Sequence, residues 1–375
     1  MTYWEEQIKL PEKDPELEYG YILKSDDEPV KCSKEELYEV IESDMDVVYV
    51  TTPQNSTFII PGSDFETLQP ILRKKKSSIK TNLYFGIGYT VFFGIILLLL
   101  NLNSNKGFWS DKSGRFNILI FGIIPVLNGL YELISIRRIN ELNYQKESSE
   151  IKFNFWINQK NIYSIYIVTG ILVIITIIQF ITGLRDSIEL AGLVKLKTLN
   201  GEYWRLLTCI LMHGSVMHII FNGLAIYVIG HMVIRITGFS YFVIVFLFSG
   251  LLGSLFSLFL LPTQTSVGAS GGIMGLIGFV LIVSIKLKDS VPGNIIKSMM
   301  NSIILIAIMG ITAFDIIDNA AHGGGLIGGI IIGLILIRKR DNWIPYKPTI
   351  LINITGIVST IVLISGIVIL IRQLY

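Results

Sequence analysis

Two polar residues in the apolar part of this 375-residue chain have the types and surroundings that nucleophilic chemistry requires. Ser270 stands in Gly268-Ala269-Ser270-Gly271-Gly272 at the mouth of an apolar run, and His322 stands in Asn319-Ala320-Ala321-His322-Gly323-Gly324-Gly325. A hydroxyl at the start of one membrane helix and an imidazole inside another are both costly in lipid, so each needs a reason to be there. Serine is a weak nucleophile until a base takes its proton, and histidine is the usual base. Glycines beside Ser270 permit a tight backbone, and a serine at a helix amino terminus has free amide donors nearby that could hold an oxyanion. The plainer reading is small-residue packing, with Gly271 and Gly275 as one face. Gly325, Gly329 and Gly333 repeat at the same spacing of four after His322. If the two stripes face each other, the backbones approach closely and hydroxyl meets imidazole, so the pairing favours chemistry over packing alone.

A third set precedes them. Trp204-Arg205 leads into His213, His218 and Asn222, and residues 218 and 222 share one helical face, from which both can donate to one point. That arrangement suits a developing negative charge on oxygen. A metal site built from His213, His218 and His322 is the competing idea. It is disfavoured because no acidic residue stands among them and no His-x-x-x-His pair occurs, so neither a metal nor another cofactor is expected. His231, the fourth histidine, lies near the far end of its run and reads as structural.

These residues must be positioned by membrane helices. The chain is 51% hydrophobic with a mean hydropathy of +0.60, more apolar sequence than a soluble core of this length can hide. Runs of about twenty residues cross ~30 Å of hydrocarbon. Nine candidates follow: 82–101, 116–136, 162–184, 206–232, 239–261, 270–287, 294–313, 319–337 and 349–371. Lys74-Lys75-Lys76 and Lys80 precede the first, and positive charge recurs in alternate loops at Arg137 and Arg138, Arg235, Lys286 and Lys288, and Arg338 to Arg340. That pattern places the amino terminus in the cytoplasm and the carboxyl terminus outside, although Lys106, Lys112 and Arg115 fit it less well.

The net charge of +2 hides a split, because residues 1–72 hold 17 Asp or Glu against 5 Lys or Arg. This acidic part is expected to be soluble, with no nucleic-acid partner implied. Residues 1–78 read as a small α+β domain: Ser33 with Glu36, and Ser63 with Glu66, form capping boxes, and 46–52 and 56–60 form strands about a turn at Pro53-Gln54-Asn55. A helical hairpin over 79–137, a cytoplasmic linker over 138–161 and a seven-helix core over 162–375 complete the expected architecture, an all-α polytopic membrane protein behind a small soluble domain. Cys32 and Cys209, the only cysteines, cannot staple such a fold. The first eighty residues have neither the basic n-region nor the apolar h-region of a signal peptide.

Taken together, Trp204-Arg205, the His213, His218 and Asn222 set, Gly268-Ala269-Ser270-Gly271, and Ala321-His322 with Gly325 and Gly329 resemble, in order, the motifs of the rhomboid family of intramembrane serine proteases. The resemblance covers roughly residues 160–371. It implies a rhomboid-like helical bundle and a Ser-His dyad without an acid, with Ser270 as nucleophile and His322 as base and then acid. The oxyanion hole implied is the backbone amide of Ser270 with the side chains of His218 and Asn222. His213 would support the site, and Trp204 and Arg205 would belong to a loop in the outer leaflet. Implied substrates are single-pass membrane proteins cut near the outer end of an unstable helix. Physics agrees, since a helix shields its peptide carbonyls and must be unwound before hydrolysis. Many family members have an aromatic residue four after the serine, where Met274 stands here, and the hairpin and acidic domain lie outside the family's common core.

Two other classes compete with this reading. An inactive rhomboid-like protein that binds membrane clients usually lacks the serine or the histidine, and both are present. A transporter would need coupling residues within the spans, whereas the carboxylates Asp315 and Asp318 lie at a helix end. By analogy the helix over 294–313, with Ile308 and Phe314, flanks a lateral entrance. A bacterial inner membrane is the expected location.

Overall fold

The computed structural model describes residues 5–24, 28–43, 47–102, 118, 122–159, 162–312, 317–338 and 344–375. They form two compact units, Glu5–Trp156 and Ile157–Tyr375.

The first unit begins with a three-stranded antiparallel sheet of order β2-β1-β3, with β1 at Gly20–Leu23, β2 at Val30–Lys31 and β3 at Val47–Thr51. Gly20 pairs with Lys31 on one side and Thr51 on the other, and Tyr21 pairs with Val30 and Val50. Helix α1 (Lys34–Glu42) is capped as its sequence predicts, the Ser33 hydroxyl accepting from Glu36 N at 3.2 Å. It buries Leu37 and Val40 against Tyr21 and Val50. The stretch 56–60 makes only isolated bridges, Thr57 to Glu12 and Ile59 to Val50, rather than a strand.

Helix α2 (Phe65–Leu102) differs from expectation in two ways. Its cap is Asp64, whose Oδ1 accepts from Thr67 N at 2.8 Å, while Ser63 Oγ is buried without a partner among the described residues. Glu66 pairs instead with Lys34, at 2.6 Å. The helix then continues unbroken through Pro70 and the lysine run into the first apolar span. Proline this early removes one turn bond without ending the helix. Helix α3 is named over Ile124–Arg137, and the first residues of the expected second span lie outside those described. Within the stretch read as a linker, α4 (Gln145–Asn158) forms a helix whose Phe153 and Trp156 are fully buried. Its Ser148 donates to Ser63 O, Lys75 pairs with its Glu147, and Trp156 Nε1 donates to Gln7.

The second unit opens with α5 (Tyr163–Thr182) and a loop containing the short helices α6 (Leu184–Ala191), α7 (Lys195–Leu199) and α8 (Arg205–Thr208). Then come α9 (Val216–Thr237), α10 (Phe239–Leu260), α11 (Ser270–Lys286), α12 (Gly293–Thr312), α13 (Asn319–Leu336) and α14 (Ile350–Leu374). Among the described residues, seven helices are long and apolar enough to cross a membrane, and α11 is a shorter apolar helix. The chain is thus a multi-pass helical membrane protein. The expected span 206–232 is corrected to Val216–Thr237: residues 212–215 leave the helical path, and Ser215, extended at φ −167°, caps the new helix by accepting from His218 N.

Helix α11 is the centre of this unit. Thirteen of its 17 residues are buried, because α10 and α13 press on it from two sides. Seventeen residues rise only about 25 Å, short of the hydrocarbon thickness, which suits a helix that starts below the membrane surface.

Candidate active site

Ser270 is the first residue of α11, so its amide and those that follow have no acceptor within the helix. The chain arrives there through Gly268, at φ +139°, a region that side chains with a Cβ rarely enter. Gly268 N donates to Cys209 O at 2.9 Å, which ties the approach loop to the turn after α8. Absence of a side chain at Gly268 matters for a second reason. A methyl there would sit 2.8 Å from His218 Nε2 and 3.6 Å from Ser270 Oγ. The hydroxyl and the imidazole edge therefore border one small space that only glycine leaves open.

Helix α13 crosses α11 with backbone touching backbone. A Cβ on Gly325 would collide with Gly271 O, and one on Gly329 would collide with Gly275 O. The two glycine stripes do face each other, as their spacing predicts. Gly271, next to Ser270, lies 3.4 Å from Ala321 O when given a Cβ, and Ala321 is next to His322. Ser270 and His322 thereby flank one crossing on neighbouring helices. His322 Nδ1 is buried and has no hydrogen-bond partner among the described residues. The carboxylate one turn earlier does not reach it: Asp318 Oδ1 accepts from Ala321 N at 2.8 Å, and its Oδ2 takes the Ser257 hydroxyl. Asp318 is a helix cap rather than the third member of a triad.

Beside the serine, α9 presents His218 and Asn222 from one face. Gly214 N donates to His218 Nδ1 at 3.3 Å, so a neutral ring carries its proton on Nε2, the nitrogen that borders the Gly268 space. Asn222 is 6% exposed, and its Nδ2 is buried without an acceptor among the described residues. An unpaired buried donor costs free energy, and an acceptor brought into this space would relieve it.

His213 is fully buried, with its ring edge-on to that of His218 at 5.2 Å between centroids. Thr176 Oγ1 donates to Leu172 O, so toward His213 Nδ1, 3.3 Å away, it can only accept. That contact places the His213 proton on Nδ1. Gln179 clasps the His213 backbone, its Oε1 accepting from His213 N at 2.9 Å and its Nε2 donating to His213 O at 3.2 Å. Thr176 and Gln179 are absent from the sequence-derived site, although a buried glutamine in an apolar span is the signal that could have marked them. Arg205, 3% exposed, bonds Gly192 O and Glu202 and stacks on the Trp204 ring at 4.6 Å. These two residues brace the loop before α9 and do not reach Ser270. Met274 is buried in α11, and His231 stacks on Tyr227. Phe314 and Asp315 lie outside the described residues.

Comparison with known proteins decides the family. The family model for the Rhomboid domain matches residues 200–339, which include every residue of this site except Thr176 and Gln179. The rhomboid protein YdcA of Bacillus subtilis is 30% identical over 143 residues, covering 38% of this chain and 71% of that protein. This chain belongs to the rhomboid family. Rhomboid protease GluP of Bacillus subtilis is 38% identical over 133 residues, 35% of this chain and 25% of GluP. RHOMBOID-like protein 4 of Arabidopsis thaliana is 32% identical over 192 residues, 48% of each chain. The chain thus spans about half the length of the plant relative and a quarter of GluP. The matched rhomboid segment begins near the site-bracing loop and ends with α13, so the shared part is the part that surrounds Ser270.

Proposed function

We propose that the chain is an intramembrane serine endopeptidase that hydrolyses peptide bonds in or near transmembrane helices of single-pass membrane proteins. The observation that supports this reading is the glycine-paired crossing of α11 and α13, the helices that carry Ser270 and His322, with His218 Nε2 and Ser270 Oγ both bordering the space beside Gly268. In this scheme His322 takes the Ser270 proton as Oγ attacks the scissile carbonyl carbon. Negative charge moves to the carbonyl oxygen, where the Ser270 amide, His218 Nε2–H and Asn222 Nδ2–H can donate to it. Collapse breaks the C–N bond, His322 gives its proton to the leaving amine, and an acyl-enzyme remains. Water, deprotonated by His322, then attacks the ester carbon, and Ser270 leaves with its proton restored.

The proposed substrates are helices weakened by glycine, proline or other poor helix formers, because the scissile carbonyl must leave its internal hydrogen bond. We place the protein in a bacterial inner membrane, and the alternation of positive loops supports an amino terminus in the cytoplasm. The domains are read as a soluble part over 1–78, a hairpin over 79–137, a linker over 138–161 and a protease core over 162–375.

The test is cleavage of a single-pass reporter by the purified protein in liposomes, beside Ser270→Ala and His322→Ala. Cleavage by the wild type alone supports the proposal. A wild type that leaves several unstable transmembrane helices uncut, or a Ser270→Ala variant that cuts equally well, contradicts it.

A further inference from the structure

A buried lysine in the core has no part in the scheme above. Lys195, in α7, is 3% exposed. Its Nζ donates to Ser257 Oγ at 2.6 Å and to Ser266 Oγ at 2.8 Å. The two hydroxyls are 2.9 Å apart, and Ser257 donates its own proton to Asp318 Oδ2. Hydrogen accounting then permits one direction only. Ser257 gives its proton to the carboxylate, so it accepts from the ammonium and from Ser266, and Ser266 accepts from the ammonium. The result is a relay from a buried cation to a half-buried carboxylate in which both hydroxyl protons are placed. Burial lowers the Lys195 pKa, and the Asp318 charge opposes that shift.

The relay joins four elements: α7 of the loop after α5, α10 through Ser257, the loop before α11 through Ser266, and the amino-terminal cap of α13 through Asp318. Leu193 and Ser266 also exchange backbone hydrogen bonds, at 3.0 and 3.3 Å. Ser266 lies four residues before Ser270, and Asp318 lies four residues before His322. Asp318 Oδ1 caps Ala321, and Asp318 O accepts from His322 N at 3.1 Å. Ser270 and His322 each follow, at equal distance along the chain, a residue held by this relay.

We propose that Lys195 is a positioning residue, whose ammonium holds Ser266 and, through Ser257, Asp318, so fixing the start of the nucleophile's helix against the start of the base's helix. This rests on the protease reading for its catalytic consequence, though not for the tether itself. A buried ion pair is strongly disrupted when one partner is lost and much less so when both are neutralised, because the lone charge is the main cost. The relay therefore makes a distinctive forecast for paired substitutions.

The experiment uses the full chain in liposomes for kinetics and in detergent for thermal unfolding, with Lys195→Met, Asp318→Asn, their double variant and Ser270→Ala as the inactive control. Lys195→Met is expected to lower kcat for the single-pass reporter by about tenfold or more, with KM changed by less than about twofold. The double variant is expected to recover kcat and unfolding midpoint above those of Lys195→Met, since the amide introduced by Asp318→Asn still caps α13 with no lone charge. Ser266→Ala, which removes one acceptor and leaves the ions in place, keeps the test open if Lys195→Met does not fold, and is expected to lower kcat about threefold. Wild-type kcat in Lys195→Met, wild-type kcat in Ser266→Ala where Lys195→Met does not fold, or a double variant no better than Lys195→Met, overturns the proposal. If the wild type itself does not cleave, the protease reading and the catalytic consequence fail together, and the midpoint cycle alone still decides whether the tether exists.

Discussion

The two sides of α11 are built differently. Toward α10 and α13 it meets glycine with glycine and glycine with aromatic ring: Gly271 and Gly275 lie on the α13 backbone, and Gly272 packs on Phe246, 2.7 Å from where a Cβ would be. More than half of the apolar stretch of α10 is buried. Toward α12 the packing is sparse. Few residues of α12 are buried, and Ile304, Ile308 and Ile311 are exposed. Close backbone packing has no slack, so it holds atoms to the sub-ångström placement that a nucleophile and base require. A helix with few buried contacts can shift at small cost, which suits the side on which a substrate helix would arrive.

The largest effects are therefore expected on the glycine side. Gly325→Val places a branched side chain where Gly271 O already sits, and is expected to abolish folding or reduce cleavage by at least about 100-fold. The matching change on the loose side, Gly293→Ala at the start of α12, meets nothing within 4 Å and should leave both unfolding midpoint and turnover unchanged. Equal damage from the two would erase the contrast.

Asn222→Ala sharpens it differently. Loss of an oxyanion donor is expected to cost about 10²–10³ in kcat, while the unfolding midpoint holds or rises because an unpaired buried amide has been removed. Activity and stability falling together would mean that Asn222 is structural. Gln179→Leu should be milder in rate and harsher in stability: it strips two bonds from the His213 backbone, at about 1–3 kcal/mol, and lowers kcat by roughly tenfold through displacement of the neighbouring His218. The smallest effect is expected from Ile308→Ala on the loose side, a rise in turnover of about twofold if α12 yields to substrate. Unchanged turnover in that variant would argue against movement of this helix.

Much of this contrast was legible in the sequence, and the reason is physical. Helices that must cross hydrocarbon declare themselves by length and apolarity, and residues at spacing four on a helix share a face, so the two glycine stripes were legible while their meeting stayed conditional until the fold showed it. What stayed hidden depends on contacts between distant residues. Lys195 reads as one more loop cation and Asp318 as a helix-end charge until the fold brings both to Ser257. The break at 212–215 was concealed by apolar neighbours, since hydropathy carries no record of where a helical path is interrupted. Strands β1 and β2, four and two residues long, are too short to display a period of two. Asp64 took the cap from Ser63 because either side chain can accept from a first-turn amide, and only the local backbone chooses between them.

The most direct test of the central claim is reaction of the membrane-embedded protein with a fluorophosphonate, followed by mass spectrometry of the adduct, since this reads the nucleophile and its base without a substrate helix. The account predicts a single stoichiometric adduct on Ser270 in the wild type and reaction slowed by at least about 100-fold in His322→Ala at an unchanged unfolding midpoint. An adduct on another serine, or equal rates in the two proteins, would contradict it.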